Sequence, residues 1–185
     1  APEYPEQRQD YSFSRDPLGT WRYYAKATPG AFNGASSITN VVAPVHFSIP
    51  RGFFAKPFNL SLATETPGAT IRYTTNGSVP GVTNGWAYTG PLALSGTRIL
   101  RAAAFQSNSL PSRVTTHTYL FNLPANRRLL PALSLVTATN NLYGRTGIME
   151  YSPRNTTQHG IAWERPVSAE YIRPEDNGGF AANCG

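Results

Sequence analysis

The clearest pattern along the chain is a strict alternation of apolar and polar side chains. In the run FNLSLAT, Phe58, Leu60 and Leu62 fall on one face and Asn59 and Ser61 on the other. An alternation of period two is typical of a strand with one buried face. No run shows the 3.6-residue apolar stripe of a helix, so the pattern predicts an antiparallel β-sandwich of about seven short strands. The other runs that support it, all within residues 44–122, are VHFSI, TIRYTT, AYTGPLALS, TRILRAAAF and VTTHTYLF.

Turn signals separate these runs. The dipeptide PG at 67–68 precedes TIRYTT, and NG at 76–77 follows it. Between them we expect Ile71 and Tyr73 to point inward. The two dipeptides predict tight turns that set strand length and register and that present no catalytic group.

The flanking segments are less regular. Residues 1–43 contain one strand-like core, YSFSRDPLGTWRYYAKATPGAFN, in which Trp21, Tyr23 and Ala25 fall on one side. TPGAFNG breaks the chain, and we interpret the stretch ASSITNVV that follows as a linker. Residues 123–185 contain two predicted strands, ALSLVT and AWERPVSAEYI, and between them NNLYGRTGIMEY is predicted to form a turn or short helix that leads to a loop. The final run, FAANCG, is predicted to begin a strand that has no partner within the chain, and its Cys184 is expected to be buried.

Composition agrees with a folded, turn-rich β chain. The 185 residues include 16 Gly and 16 Pro, 40% are hydrophobic and only 14% are charged, which argues against disorder. The net charge of +6 comes mainly from scattered arginines, whereas nucleic-acid binders usually cluster their basic residues. We therefore expect no nucleic-acid binding, and a salt-sensitive affinity for an acidic polymer or surface is the better expectation. No apolar run is long enough to span a bilayer as a helix.

Three stretches resemble known families. PGATIRYTTNGSVP, with the later YTGPLALSGTRILRAAAF, resembles the fibronectin-III-associated β-sandwich at the C-terminus of chitobiases and β-hexosaminidases, over residues 44–122. Residues 123–185, with LPALSLVT, NLYGRTGIM and WERPVSAEY, resemble the opening of a CotH-type spore-coat kinase region. RDPLGTWRYYAKATPGAFN, within residues 1–43, is similar to the end of a lamin-tail-type domain. The order of the three implies an internal part of a large secreted bacterial protein, located outside the cell or on its surface.

Candidate catalytic chemistry is weak. A glycosidase needs two facing carboxyl groups, and the predicted sandwich supplies only Glu65. A kinase needs a lysine for the phosphates, and residues 123–185 contain none. No histidine has a His or Cys neighbour at zinc-ligand spacing. We therefore expect no enzyme activity, no cofactor and no metal site.

Aromatic and basic side chains supply the remaining candidates for a ligand site. Trp86 and Tyr88 follow a polar loop rich in Gly and Asn, and they are candidate contacts for a sugar. Arg72 and Arg101 are expected to point outward from neighbouring strands, where they would bracket an acidic sugar or line a solvated sheet face. Packing in the core or between domains remains the alternative for the aromatic rings.

The leading functional interpretation is a non-catalytic extracellular module that acts as a spacer and adhesion element with weak carbohydrate binding. Its partners would be a polysaccharide or cell-surface glycan, together with neighbouring domains or subunits. One alternative is the N-terminal fragment of a CotH-type kinase. Another is a structural subunit of a larger assembly.

Overall fold

The computed structural model describes residues 7–8, 11–33, 37–150 and 155–184, and strands dominate them. The strands are β1 Ser12–Arg15, β2 Trp21–Tyr24, β3 Asn40–Val41, β4 Val45–Phe47, β5 Gly52–Phe54, β6 Phe58–Leu60, β7 Leu62–Thr64, β8 Thr70–Thr74, β9 Trp86–Ala87, β10 Leu92–Leu94, β11 Arg98–Phe105, β12 Ser109–Leu110, β13 Thr115–Phe121, β14 Ala132–Val136, β15 Val167–Ile172 and β16 Gly179–Cys184. The helical elements are α1 Ala125–Arg128, α2 Thr139–Leu142 and the 3₁₀ turns Asn155–Thr157 and Ile161–Trp163.

Strands β4 to β13 form the predicted β-sandwich. One layer is a five-stranded sheet in the order β5-β13-β11-β8-β9, and two short antiparallel pairs, β4-β7 and β10-β6, cover its inner face. The pairings are antiparallel except at the margins, where β5 runs parallel to β13 and β3 parallel to β12. Side chains from both layers meet in one apolar core. Its buried members are Val42, Val45, Leu60, Leu62, Ile71, Leu94, Leu100, Ala102, Ala104, Tyr119 and Phe121.

The alternating run that predicted the sandwich lies as expected but is divided between two strand pairs. Leu60 and Leu62 are buried, and Asn59 and Ser61 are exposed. The run is interrupted at Ser61, so that β6 pairs with β10 while β7 pairs with β4. This interruption is one reason why residues 44–122 contain ten short strands, where the pattern predicted about seven.

The stretch interpreted as a linker is part of the folded structure. Ile38 exchanges two backbone hydrogen bonds with Tyr23 of β2. A few residues later β3 pairs with β12, and the side chain of Val42 is 1% exposed within the sandwich core. Both ends of the described part of this stretch are thus hydrogen-bonded, one to the N-terminal β1-β2 hairpin and the other to the sandwich.

The C-terminal segment forms a three-stranded antiparallel sheet in the order β14-β15-β16. The prediction that the last strand lacks a partner is wrong, because β16 pairs along its whole length with β15. The prediction that Cys184 is buried is also wrong, because the thiol lies exposed on this outer strand. The β15-β16 turn reaches the sandwich, where the side-chain oxygen of Asn177 accepts a hydrogen bond from the backbone N–H of Phe53 at 2.8 Å.

The buried face of this sheet combines polar and apolar side chains. Ser168, Glu170 and Ile172 of β15 are buried, and Val136 of β14 is buried on the same face. On the opposite face, Leu133 and Leu135 of β14 are 62% and 63% exposed. The mixed face therefore packs against the sandwich. The other face, which also carries the stacked rings of Tyr171 and Phe180, points away.

Glu170 is the centre of the contact between the two sheets. Its carboxyl group is 0% exposed and accepts a hydrogen bond of 2.6 Å from the hydroxyl of Thr118 in β13, which also lies 2.8 Å from the hydroxyl of Ser134. Arg51 approaches the other carboxyl oxygen at 3.9 Å. Burial raises the pKa of Glu170 to about 7, and the Thr118 hydrogen bond and the Arg51 charge only partly oppose this rise.

Replacement of Glu170 by Gln tests this account through the pH dependence of stability. Because the folded-state pKa is raised, the contribution of Glu170 to stability is fully present below pH 4.5 and is lost as the pH rises through about 7. We expect E170Q to match the original chain near pH 4.5 and to become more stable than it by pH 8, by roughly 3 kcal/mol.

Urea unfolding at a series of pH values measures this difference. E65Q, which alters an exposed glutamate, is the matched control and should show a difference that varies little with pH. A difference for E170Q that stays constant from pH 4.5 to 8 would contradict the assignment.

Candidate functional site

The candidate site is centred on Trp86, at the open edge of the five-stranded sheet. Trp86 belongs to β9, the edge strand, and lies directly opposite Tyr73 of β8. Its side chain is 70% exposed although its strand partner Tyr73 packs against the core. The exposure follows from the edge position, since no other strand among the described residues pairs with β9 beyond β8.

Shallow clefts flank the indole ring. The first, of about 310 Å³, is polar and is lined by the loop 75–85 together with Thr74 and Trp86. The second, of about 230 Å³, is lined by Tyr73, Arg98 and side chains of β10. Trp86 lines both, so an elongated ligand could lie across its ring and place polar groups in the first cleft.

Amide side chains organise the polar cleft. The Oδ1 atom of Asn76 accepts hydrogen bonds from the backbone N–H and the hydroxyl of Ser78, at 3.1 and 2.7 Å. The Nδ2 atom of Asn84 donates to the Ser78 hydroxyl and to the Val79 carbonyl. Within the described residues this leaves the Asn76 amide N–H₂ group as donor and the Asn84 oxygen as acceptor, which are the groups that hydrogen-bond sugar hydroxyls. Neither residue was among the sequence candidates, although Asn84 belongs to the polar loop that drew attention to Trp86 and Asn76 belongs to the NG turn signal.

The NG turn at 76–77 does more than reverse the chain. It does not close a tight hairpin, because the chain continues to residue 85 before β9 pairs with β8. Gly77 has a φ of +79° and lies against the backbone of Thr137, so a Cβ atom there would overlap the Thr137 carbonyl oxygen. Its own carbonyl accepts a 2.8 Å hydrogen bond from Arg101. The loop that carries Asn76 and Asn84 is thus held between β11 and the C-terminal segment.

The structure does not bring the sequence candidates together around Trp86. Tyr88 is partly buried against the core, and its backbone N–H donates to Ile71. Arg72 lies on the opposite face of β8, where its Nη2 atom donates to the Gly85 carbonyl at 2.6 Å. Of the two aromatic candidates, only Trp86 presents an exposed ring. Arg72 contacts the backbone of the loop that precedes β9.

The expectation that Arg101 points outward into solvent is wrong. Its side chain is 5% exposed on the outer face of β11, because the loop at Gly77 and the C-terminal sheet lie over that face. Burial lowers the pKa of Arg101, but a guanidinium remains charged in a protein. Arg101 therefore holds the loop of the Trp86 site through its hydrogen bond to Gly77, and it does not line the Trp86 clefts.

The arrangement of side chains around Trp86 is suited to binding. An exposed indole face can pack against the apolar C–H face of a sugar and remove that surface from water. Both clefts are small and open, which limits the buried area and hence the affinity. Among the described residues, no three His, Cys, Asp or Glu side chains lie close enough together to hold a metal ion, and no helix is long and apolar enough to cross a membrane.

The fold and the site define a small β-sandwich module with an edge-strand aromatic platform. Residues 60–119 match the protein-family model described as Fn3 associated. This match supports the resemblance to the fibronectin-III-associated domain of chitobiases and hexosaminidases over this stretch, and it suggests a non-catalytic module of carbohydrate-active proteins. No curated protein and no solved structure shows a significant match to the chain. The CotH and lamin-tail resemblances of the flanking segments stay predictions.

The role of Gly77 in holding the loop can be tested by adding a single methyl group. G77A and G68A both place alanine at similar left-handed φ values, +79° and +74°, at a cost of about 1–2 kcal/mol each. At Gly68 the nearest atom to a new Cβ is 3.8 Å away, whereas at Gly77 the methyl group meets the Thr137 carbonyl. We expect G77A to lower the free energy of unfolding by a further 1–3 kcal/mol or so relative to G68A, measured by urea unfolding. Equal losses in the two variants would mean that the loop is not held against Thr137.

Proposed function

We propose that the chain is a non-catalytic extracellular module that serves as a spacer and adhesion element and binds a polysaccharide weakly through Trp86. The observation that carries the proposal is the 70% exposed indole of Trp86 on the edge strand, beside a cleft with available amide groups. The family match over residues 60–119 also supports a role in carbohydrate binding, since it suggests a module of carbohydrate-active proteins.

The spacer role rests on the way in which the flanking segments join the sandwich. The N-terminal hairpin joins through the Tyr23–Ile38 pair, and the C-terminal sheet joins through Thr118 and Glu170. Such hydrogen-bonded junctions restrict bending between neighbouring segments and so suit a module that holds others at a set separation. The absence of catalysis is part of the proposal. It is consistent with Glu170, whose raised pKa would otherwise suit a general acid, being 0% exposed and out of reach of a substrate.

A second candidate function is a structural subunit of a larger assembly. The outer face of the C-terminal sheet favours it, because Leu133, Leu135 and Phe180 are each more than half exposed there. Apolar patches of this kind often mark protein contacts. Sedimentation of the purified chain distinguishes this role, since a subunit would associate and a glycan-binding spacer would remain monomeric in the absence of glycan.

Substitution of Trp86 by Ala tests the proposed glycan site. Affinity electrophoresis through gels that contain a panel of neutral polysaccharides should show slowed migration of the original chain. We expect W86A to weaken this retardation about tenfold or more, because loss of the ring removes about 1.4 kcal/mol or more of binding free energy. The edge position of the ring implies that the fold itself survives the change.

W21A is the matched control, because Trp21 is also exposed, by 52%, but stacks on Phe13 in the N-terminal hairpin. It should migrate like the original chain. Unchanged retardation of W86A, or equal loss in both variants, would refute a glycan site at Trp86.

A further inference from the structure

Arg98 is an exposed cation in the same cleft as Trp86. It is the first residue of β11, and its side chain lines the cleft of about 230 Å³ together with Trp86 and Tyr73. The buried side chain of Leu100 follows two positions later on the same face of β11, so Arg98 lies where the core ends and solvent begins. Among the described residues, its guanidinium group has no hydrogen-bond or ion-pair partner.

No acidic side chain balances this charge within the site. The described residues that line the two clefts beside Trp86 include no carboxylate. Arg98 also differs from Arg72 and Arg101, whose guanidinium groups donate to backbone carbonyls of the loop 75–85. The free donors of Arg98 therefore face the space next to the exposed indole ring, and charge complementarity favours a ligand that carries an anion there.

We propose that the polysaccharide bound at Trp86 is an acidic one and that Arg98 recognises its carboxylate, an inference that rests on the proposed function. Trp86 lines both clefts, so a sugar ring packed on the indole has a neighbouring sugar in the cleft of Arg98. The guanidinium offers donors in a planar fork that matches the two oxygens of a carboxylate. On the other side of the ring, the amides of Asn76 and Asn84 are available for sugar hydroxyls. Trp86 thus supplies affinity for the sugar, and Arg98 supplies the preference for an acid.

A saccharide fits these observations better than a nucleic acid, which is also anionic. Proteins that bind single strands present aromatic rings to successive bases along a continuous basic groove. Among the described residues that line the two clefts, Trp86 is the one exposed ring and Arg98 is the one arginine. One ring and one cation match a sugar and the carboxylate of its neighbour, and they do not form a groove for a run of nucleotides.

Calorimetric titration of the whole chain with an oligogalacturonate and with its methyl ester tests the preference. The two ligands have the same sugar backbone and differ in their negative charge. We expect the oligogalacturonate to bind about fivefold more tightly at low ionic strength, which is near the upper limit for an exposed ion pair. Added sodium chloride should reduce this difference, because it screens exposed charges.

Variants assign the preference to one side chain. R98Q should weaken binding of the oligogalacturonate about fivefold and leave binding of the methyl ester unchanged, because only the acid requires the cation. R127Q is the matched control, since it removes the same charge from the exposed helix α1 and should leave both affinities unchanged. W86A should weaken binding of both ligands about tenfold. An unchanged melting temperature of R98Q, expected from the exposure of Arg98, shows that the fold is retained.

The outcomes distinguish failure of this inference from failure of the proposed function. Equal affinity for the two ligands, no binding of the oligogalacturonate, or equal weakening by R98Q and R127Q would overturn the role of Arg98. The glycan site would still stand if W86A lost its retardation by neutral polysaccharides. Tighter binding of a single-stranded DNA oligonucleotide than of the oligogalacturonate, reduced by R98Q, would overturn the assignment to a saccharide.

Discussion

The structure depends on a buried polar contact between two sheets. The outer face of the five-stranded sheet presents Thr118, and the C-terminal sheet presents Glu170, whose carboxyl group accepts its hydrogen bond at 2.6 Å. Apolar surfaces can slide over one another at small cost, but a buried hydrogen bond is lost when its partners shift by an ångström. The contact therefore specifies where the C-terminal sheet lies and not merely that it is attached.

The candidate site at Trp86 follows from this placement. Once the C-terminal sheet is positioned, Thr137 meets Gly77 and restrains the loop that carries the amides beside Trp86. Arg101 restrains the same loop from β11, because its Nη1 atom donates to the Gly77 carbonyl at 2.8 Å. The aromatic platform at Trp86 thus depends on contacts with parts of the chain that are distant in sequence.

Local chemistry predicted a large part of this structure. The alternation at Leu60 and Leu62 identified the buried face correctly, because side-chain direction along a strand depends only on backbone geometry. Ile71 is buried and Tyr73 packs against the core, as their positions in the pattern predicted. The emphasis on Trp86 also came from local signals, a polar Gly-Asn loop before an aromatic residue, and the ring is indeed exposed. These local signals did not predict which strand pairs with which.

The sequence by itself determined that this chain is a β-sandwich with short strands, because period-two alternation and turn residues act over a few neighbouring positions. Only the tertiary structure decided that Ser168 and Glu170 face inward, that Arg101 is covered and that β16 completes a sheet. An alternating strand has two faces, and nothing within it states which face meets another layer. That choice is made by distant groups, here the hydroxyl of Thr118 and the carbonyl of Gly77, which lie 52 and 24 residues from their partners Glu170 and Arg101.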